Sequence, residues 1–392
     1  MDKFIYPFKQ GKTLNAIFLS NIFLSLHYFV IVYLNSTYLN NFFTETQVSS
    51  LYIIGSVLNI ILFLNSSKIL SKVGNYKTAL YMIVIDLLAV LGLSITQSHF
   101  LIGLYFILHT TTIPFISFNL DIFLERSSTD EEKTGNIRGM YLTLSNIILV
   151  ISPLIAAILL IDNKFWLVYL SSFIFLLPTI YIIKKYLKSE VEEKSSNIMI
   201  KETIREYLRN KNLYNILSVY FLLQLFYAFM VVYVPIYLDK YIGFPWSETG
   251  VMFTIMLLPF VLFELPVGDA EDKKYGEKEF MTIGLIIMGL STMFISFVTM
   301  KSFWVWTTIL FITRIGASFV EISTDTYFFK KVNQDKTDLI SFYRLTRPLS
   351  YVIAPIIATL SLQFIPFQYM FIIVGALMII GTKYSLTLVD TK

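Results

Sequence analysis

The chain has 392 residues, of which 56% are hydrophobic and 15% charged, at a mean hydropathy of +0.67, which leaves too little polar surface for a soluble globule of this size. A formal charge of +4, with no basic stripe of base-stacking aromatics outside the loops, excludes nucleic acid as a partner. The absence of cysteine excludes disulfides and thiolate metal sites.

A bilayer span takes about 20 apolar residues, and apolar runs recur along the chain with short loops between them. Helices are predicted near 14 to 38, 46 to 68, 76 to 96, 100 to 124, 137 to 161, 165 to 186, 212 to 238, 247 to 268, 279 to 299, 303 to 329, 339 to 363 and 366 to 388. The expected class is an all-α integral membrane protein of twelve transmembrane helices, with a six-helix bundle over 1–186, a cytoplasmic loop over 187–211 and a second bundle over 212–392. Lys3, Lys9 and Lys12 precede an apolar run that is too long for a secretion signal and lacks a cleavage site, so helix 1 is expected to stay in the protein. The ends and loops on this side collect nearly all the Lys and Arg, which predicts both termini in the cytoplasm and a place in the cell membrane.

In chain order, polar side chains first interrupt helix 1 at Asn21, Ser25 and Tyr28, and helix 2 at Tyr52, Ser56 and Asn59. Asp86 on helix 3 is expected to pair structurally. His27, His99 and His109 show no paired spacing for a metal, and no metal or other cofactor is expected. Helix 4 carries Asp121 near its end, close before Arg126, and Arg138 enters helix 5, which carries Tyr141, Ser145, Asn146 and Pro153. The polar run Ser189 to Ser196 is followed by Ile200, Ile204, Tyr207 and Leu208 at helical spacing. These predict a helix that lies on the membrane face or packs on the bundle.

Helix 7 places Gln224 and Tyr227 in an apolar run. With the polar positions of helices 1, 2 and 5, they are candidates for a mixed substrate cavity, or for interhelical hydrogen bonds. Helix 10 bears the densest polar stripe. Arg314, Ser318, Glu321 and Asp325 are spaced to share one face of a 3.6-residue helix. Charges at membrane depth cost several kcal/mol unless paired or wetted, so the stripe reads as a central site with Glu321 as proton carrier, or as a static buried Arg314 and Glu321 pair. Arg344 and Arg347 enter helix 11 from the cytoplasmic side, where they and Asp325 can close a gate.

The chain also repeats itself. Pro153 and Pro355 lie 202 positions apart, as do Gly74 and Gly276, and nearly the same offset joins Glu45 to Glu248 and Asp121 to Asp325. Carriers commonly place their substrate between two such halves.

Six plus six helices, a long central loop and paired basic loops after helices 2 and 8 resemble the major facilitator superfamily over essentially the whole chain. The most specific match is Gly268-Asp269-Ala270-Glu271-Asp272-Lys273-Lys274-Tyr275-Gly276-Glu277-Lys278, similar to the family's Gly-x-x-x-Asp-Arg-x-Gly-Arg-Arg loop with one inserted residue. The resemblance implies a cytoplasmic gate in which Asp272 and Lys273 latch and release, with Gly268 and Gly276 allowing close approach. Asp121 and Arg138 are expected to play, in the first half, the part that Asp325, Arg344 and Arg347 play in the second. Ser152-Pro153 and Ala354-Pro355 resemble the Gly-Pro element of the superfamily's antiporters, and Arg314-Ile315-Gly316-Ala317 is similar to an Arg-centred motif that proton-coupled relatives carry on helix 4.

The expected function is secondary transport of a small molecule by alternating access of two bundles related by a pseudo-twofold. Proton-coupled efflux of an amphipathic or drug-like compound by a monomer is the first expectation. A uniporter or proton symporter for a sugar or organic anion, with Arg314 neutralising a substrate carboxylate, is the alternative, and a membrane sensor that carries nothing is a third. Loops without a phosphate-cradling glycine run or a catalytic constellation point away from an ATPase or other enzyme.

Overall fold

The computed structural model describes residues 11–127, 131–188, 200–273, 276–332 and 337–389. The run Ser189 to Ser196, Lys3, Lys9, Lys274, Tyr275 and Lys336 lie outside the described residues, as do the side chains of Glu264, Asp272 and Lys273.

Among the described residues, twelve helices are long and apolar enough to cross a membrane. They are α1 (Lys12–Val32), α2 (Glu45–Leu64), α3 (Asn75–Ile95), α4 (His99–Ser127), α5 (Ile137–Leu159), α6 (Phe165–Tyr186), α7 (Lys211–Ile242), α8 (Trp246–Gly268), α9 (Glu277–Ile295), α10 (Phe303–Lys331), α11 (Phe342–Leu362) and α12 (Phe367–Leu386). The protein is thus an all-α, multi-pass membrane protein. Backbone groups in hydrocarbon must be satisfied within the chain, and a helix does this inside one segment.

Local chemistry sets the ends. Gly74 stands before α3 with φ of 83°, in the left-handed half of the map that glycine tolerates. Asn210 caps α7 by accepting from the backbone of Asn212 and Leu213. Helix α7 runs past its expected end at 238 because the turn at Tyr237–Ile242 widens beyond Pro235, which has no N–H, and closes on Gly243 at φ 83°. Pro153 and Pro355, the repeat markers, lie inside the fifth and eleventh helices.

The chain forms two compact units, one of residues 1–44 and 54–197, the other of residues 45–53 and 198–392. In the first, α1 packs on α4, α5 and α6, and α3 on α4 and α6. Phe18, Ile83, Ile116, Leu120, Phe123 and Leu176 are among its buried core. In the second, glycines set the closest approaches. A Cβ on Gly284 of α9 would lie 2.7 Å from the Gly316 carbonyl of α10, and one on Gly375 of α12 would lie 2.4 Å from the Gly289 carbonyl of α9. Small residues that let backbones meet are the usual device between helices in lipid, where apolar burial gives little drive.

The helix Ile200–Arg209 belongs to the second unit. Its Tyr207 is buried, donates to the Leu339 carbonyl at 2.9 Å and lies against Phe342. Ile204 and Leu208 stay exposed, so only part of the predicted apolar stripe is used in packing.

Candidate functional site

Helix α10 supplies the charged stripe, and its spacing puts Arg314 and Glu321 about 10 Å apart along the axis. Arg314 is 1% exposed, and none of its three guanidinium nitrogens has a hydrogen-bond partner. Its flat face lies over two rings of α7, with the guanidinium carbon 5.1 Å from the Phe226 centroid and 5.4 Å from that of Tyr227. Such contacts hold the cation by its face and leave the edge donors open.

Glu321 is held differently. The Tyr227 hydroxyl donates to its Oε2 at 2.7 Å. The static ion pair considered from sequence is absent: Arg314 and Glu321 are not within salt-bridge distance of each other, and Tyr227 stands in contact with both. Tyr227 packs edge-on against Phe260 of α8. Gln224 is buried one turn away, and Ser318 is buried but bonds back to the Ile315 carbonyl of its own helix.

Further along α10, Asp325 accepts from the Tyr343 hydroxyl at 2.9 Å. Tyr343 is sandwiched between Tyr220, at 3.8 Å, and Phe328, at 4.1 Å. Of the predicted gate group, Asp325 is thus held by Tyr343, a tyrosine the sequence did not single out.

Other expected site residues bond within their own units. Asn21 donates to the Tyr141 carbonyl at 3.0 Å and to Ser145 Oγ at 2.9 Å, and Ser25 reaches the same Ser145 at 3.3 Å. These four tie α1 to α5. Asn59 donates to the Thr111 carbonyl and ties α2 to α4. Tyr52 stacks on Tyr351. Ser56 is buried, while Tyr28 and Asn146 are half-buried. In the first half, Asp121 is half-buried and Arg138 exposed.

The loop after α8 needs a correction. Gly268 was expected to serve a close helix approach, yet among the described residues a Cβ there would meet only Ile322 Cγ1 at 3.9 Å, an ordinary contact. The close approaches lie at Gly284 and Gly316 instead. Gly276 caps α9, its N–H donated to Glu279 Oε2 at 3.1 Å. Glu271 is buried and accepts from Ser323 of α10. Glu277 and Lys330 form an ion pair of 2.7 Å between the start of α9 and the end of α10.

The first unit also holds a group that sequence spacing could not show. His27 of α1, Asp86 of α3 and His109 of α4 are buried together, with the nearest ring nitrogens 2.6 and 2.9 Å from the carboxylate. Asp86 is thus paired within the first unit. Its partners come from two other helices, and two intramembrane histidines near the same depth were the available signal.

The family model described as Major Facilitator Superfamily matches residues 221–390. No curated protein matches the chain. Among solved structures, a POT family transporter in complex with 5-aminolevulinic acid superposes with a TM-score of 0.80 at 14% identity, covering 96% of this chain and 97% of that one. An auto-inhibited POT family peptide transporter gives 0.78 at 9%, over 97% and 98%. A POT family transporter in complex with a thioalcohol-conjugated peptide gives 0.76 at 14%, over 95% of each chain. These likenesses show a shared fold. The second half of the chain is thus similar to the Major Facilitator Superfamily over residues 221–390, and the fold is shared with these transporters over nearly the whole chain.

Proposed function

We propose that the protein takes up a small carboxylate-bearing molecule together with protons, by alternating access, with Arg314 receiving the carboxylate and Glu321 carrying the proton. The unpartnered guanidinium of Arg314 supports this reading most directly. A buried cation without a partner costs several kcal/mol, and its planar fork matches a carboxylate in two parallel hydrogen bonds. The rings of Phe226 and Tyr227 already cover its face, so the remaining positions suit an in-plane anion.

Tyr227 links the two roles. Its ring supports Arg314 and its hydroxyl binds Glu321, so a carboxylate that draws Arg314 forward also disturbs the phenol that holds the proton carrier. The structural neighbours solved with 5-aminolevulinic acid and with a conjugated peptide are in keeping with an amino-acid-like or peptide-like substrate. Export of an amphipathic compound, the first expectation from sequence, ranks behind uptake because an uncharged ligand would leave the guanidinium uncompensated.

The remaining assignments extend this proposal. Asp325, Arg344 and Arg347, aligned by Tyr343 and Tyr220, form the inner gate of the second half, and Asp121 with Arg138 serves the first. Gln224 and Ser318 line the approach to Arg314. The distribution of Lys and Arg favours cytoplasmic termini and the cell membrane, with the monomer as working unit.

Thermal stabilisation of the purified protein tests the ligand class. Small acids should stabilise it while their amides and methyl esters do not, and Arg314→Gln should abolish the difference. Equal stabilisation by acid and amide would reject the carboxylate reading.

A further inference from the structure

The helix Ile200–Arg209 stands apart from the proposed transport site, and its sides differ in chemistry. At about 3.6 residues per turn, Thr203 and Tyr207 share one side. Both are buried, Tyr207 through its bond to the Leu339 carbonyl and its contact with Phe342. Next around the helix come Ile204 and Leu208, which are 38% and 66% exposed. Arg205 and Arg209 follow, both exposed, and Glu202 and Glu206 come last. Neither arginine forms an ion pair with a described residue.

Aliphatic side chains left in water are unfavourable, and the place of the helix supplies their cover. Lys211, two residues after Arg209, opens α7, so the helix lies where a span enters the bilayer. Tyr214, in the first turn of α7, is exposed and meets Tyr384 of α12 edge-on, with ring centroids 6.1 Å apart. Tyrosines at such a level mark the boundary between membrane and water.

An interfacial helix sinks its apolar face to the acyl boundary and carries its bases among the headgroups. The order of sides on Ile200–Arg209 fits this. With Tyr207 on the second unit and Ile204 and Leu208 toward the acyl chains, Arg205 and Arg209 reach the headgroup layer, and the acids turn toward water. A recess of about 660 Å³ beside the start of α7 is lined by Arg205, Arg209 and Lys211, with Asn210, Glu202 and Glu206, so bases outnumber acids. The guanidinium fork matches a phosphate in two parallel hydrogen bonds. A soluble partner fits less well, because α7 enters lipid within a turn of the apolar pair.

We propose that the helix Ile200–Arg209 docks on the bilayer surface and binds the phosphate of an anionic phospholipid through Arg205 and Arg209, with Ile204 and Leu208 seated at its acyl chains. Tyr207 roots the helix on the second unit, so the bound lipid braces the residues that lead into α11. The proposal does not depend on Arg314 or Glu321, and its test is independent of theirs.

The chain has no cysteine, so Leu208→Cys and Glu202→Cys each give a single site for a spin label. Both positions are exposed, and a label there displaces no packing. The full-length protein is placed in nanodiscs of phosphatidylcholine and phosphatidylglycerol in equal parts. The label at Leu208→Cys should relax with oxygen, which concentrates in the acyl layer, and the label at Glu202→Cys with a water-soluble nickel chelate. Native mass spectrometry of the unlabelled wild type from the same nanodiscs should show phosphatidylglycerol retained in preference to phosphatidylcholine. Arg205→Gln and Arg209→Gln should each lower that preference about fivefold, the equivalent of about 1 kcal/mol for each base at a membrane surface. Glutamine is a good helix former, so the helix persists in these variants. A label at Leu208→Cys that answers to the chelate as strongly as one at Glu202→Cys puts the helix in water and overturns the proposal. Equal retention of the two lipids by the wild type, or a preference unchanged when both arginines are replaced, overturns it as well.

Discussion

Tyr227 on α7 donates to Glu321 on α10 across 2.7 Å, and the same phenol ring lies under the guanidinium of Arg314. One side chain therefore touches both charges of the helix-10 stripe while the charges do not neutralise each other. A site arranged this way is stable only in part, and its instability is what a substrate carboxylate would relieve.

The first expectation concerns that instability. Replacing Arg314 by Met removes a buried unpartnered cation and keeps a long side chain against Phe226. The melting temperature of the ligand-free protein should rise, since apolar replacement of buried charge is commonly neutral or stabilising by about 1–4 kcal/mol. Uptake should be lost in the same variant. Arg314→Lys should also fail, because an ammonium cannot present two parallel donors. Scanning fluorimetry and vesicle uptake check the two halves.

Glu321→Gln is expected to separate exchange from coupling. The amide retains a hydrogen-bonding contact with Tyr227 but cannot release a proton, so exchange of labelled for unlabelled substrate should persist while accumulation driven by a pH gradient disappears. Tyr227→Phe should do the same more weakly, in line with the roughly 1.5–3 kcal/mol of a hydrogen bond to a charged group. Counterflow and gradient-driven uptake, measured side by side, decide this.

Packing predictions follow from the glycines. Ala at Gly284, Gly316 or Gly375 would put a Cβ within 2.7, 2.6 or 2.4 Å of a neighbouring backbone atom. Each should cost about 1–3 kcal/mol, the usual range for overpacking. Gly268→Ala should be tolerated, since among the described residues only Ile322 stands near, at 3.9 Å. Melting temperatures that rank in the opposite order would remove the correction made for the loop after α8.

Asn21 and Ser145 are expected to behave as structure. Ser145→Ala breaks the hydrogen bonds of Ser145 to Asn21 and Ser25 and leaves that of Asn21 to the Tyr141 carbonyl, and interhelical bonds of this kind average about 0.6 kcal/mol. A small loss of stability with unchanged KM is the outcome expected, measured by thermal melts and uptake kinetics.

Outside the spans, Tyr207 should keep its bond to the Leu339 carbonyl across the physiological pH range. Burial, with the charge of Glu206 beside it, pushes the phenol above its ordinary value, so it remains protonated and able to donate. Tyr207→Phe should cost about 0.5–1.5 kcal/mol, without a pH-dependent component.

Much of this architecture was legible before any coordinates. The runs of apolar residues placed all twelve spans because lipid forces long helices, and the period of Arg314, Glu321 and Asp325 placed their shared face because helix geometry is regular. Partners across helices were not legible. Which polar residue meets which depends on helix rotation and depth, so Asn21 and Ser145 looked like cavity residues, and His27, Asp86 and His109 looked unrelated. Gly268 was credited with a close approach on the strength of a motif, although the contact itself falls at Gly284 and Gly316. Tyr343 and Tyr220 were overlooked because a tyrosine in an aromatic-rich chain carries no distinguishing pattern until its hydroxyl has an acceptor.

Proton flux measured together with substrate flux bears most directly on the roles of Arg314 and Glu321. In vesicles holding the purified protein, a small carboxylate substrate should drive net proton entry in fixed proportion to its own uptake. Its amide should drive neither flux, and both should vanish in Glu321→Gln. Substrate uptake with no accompanying proton movement, or proton entry driven equally well by the amide, would contradict the account.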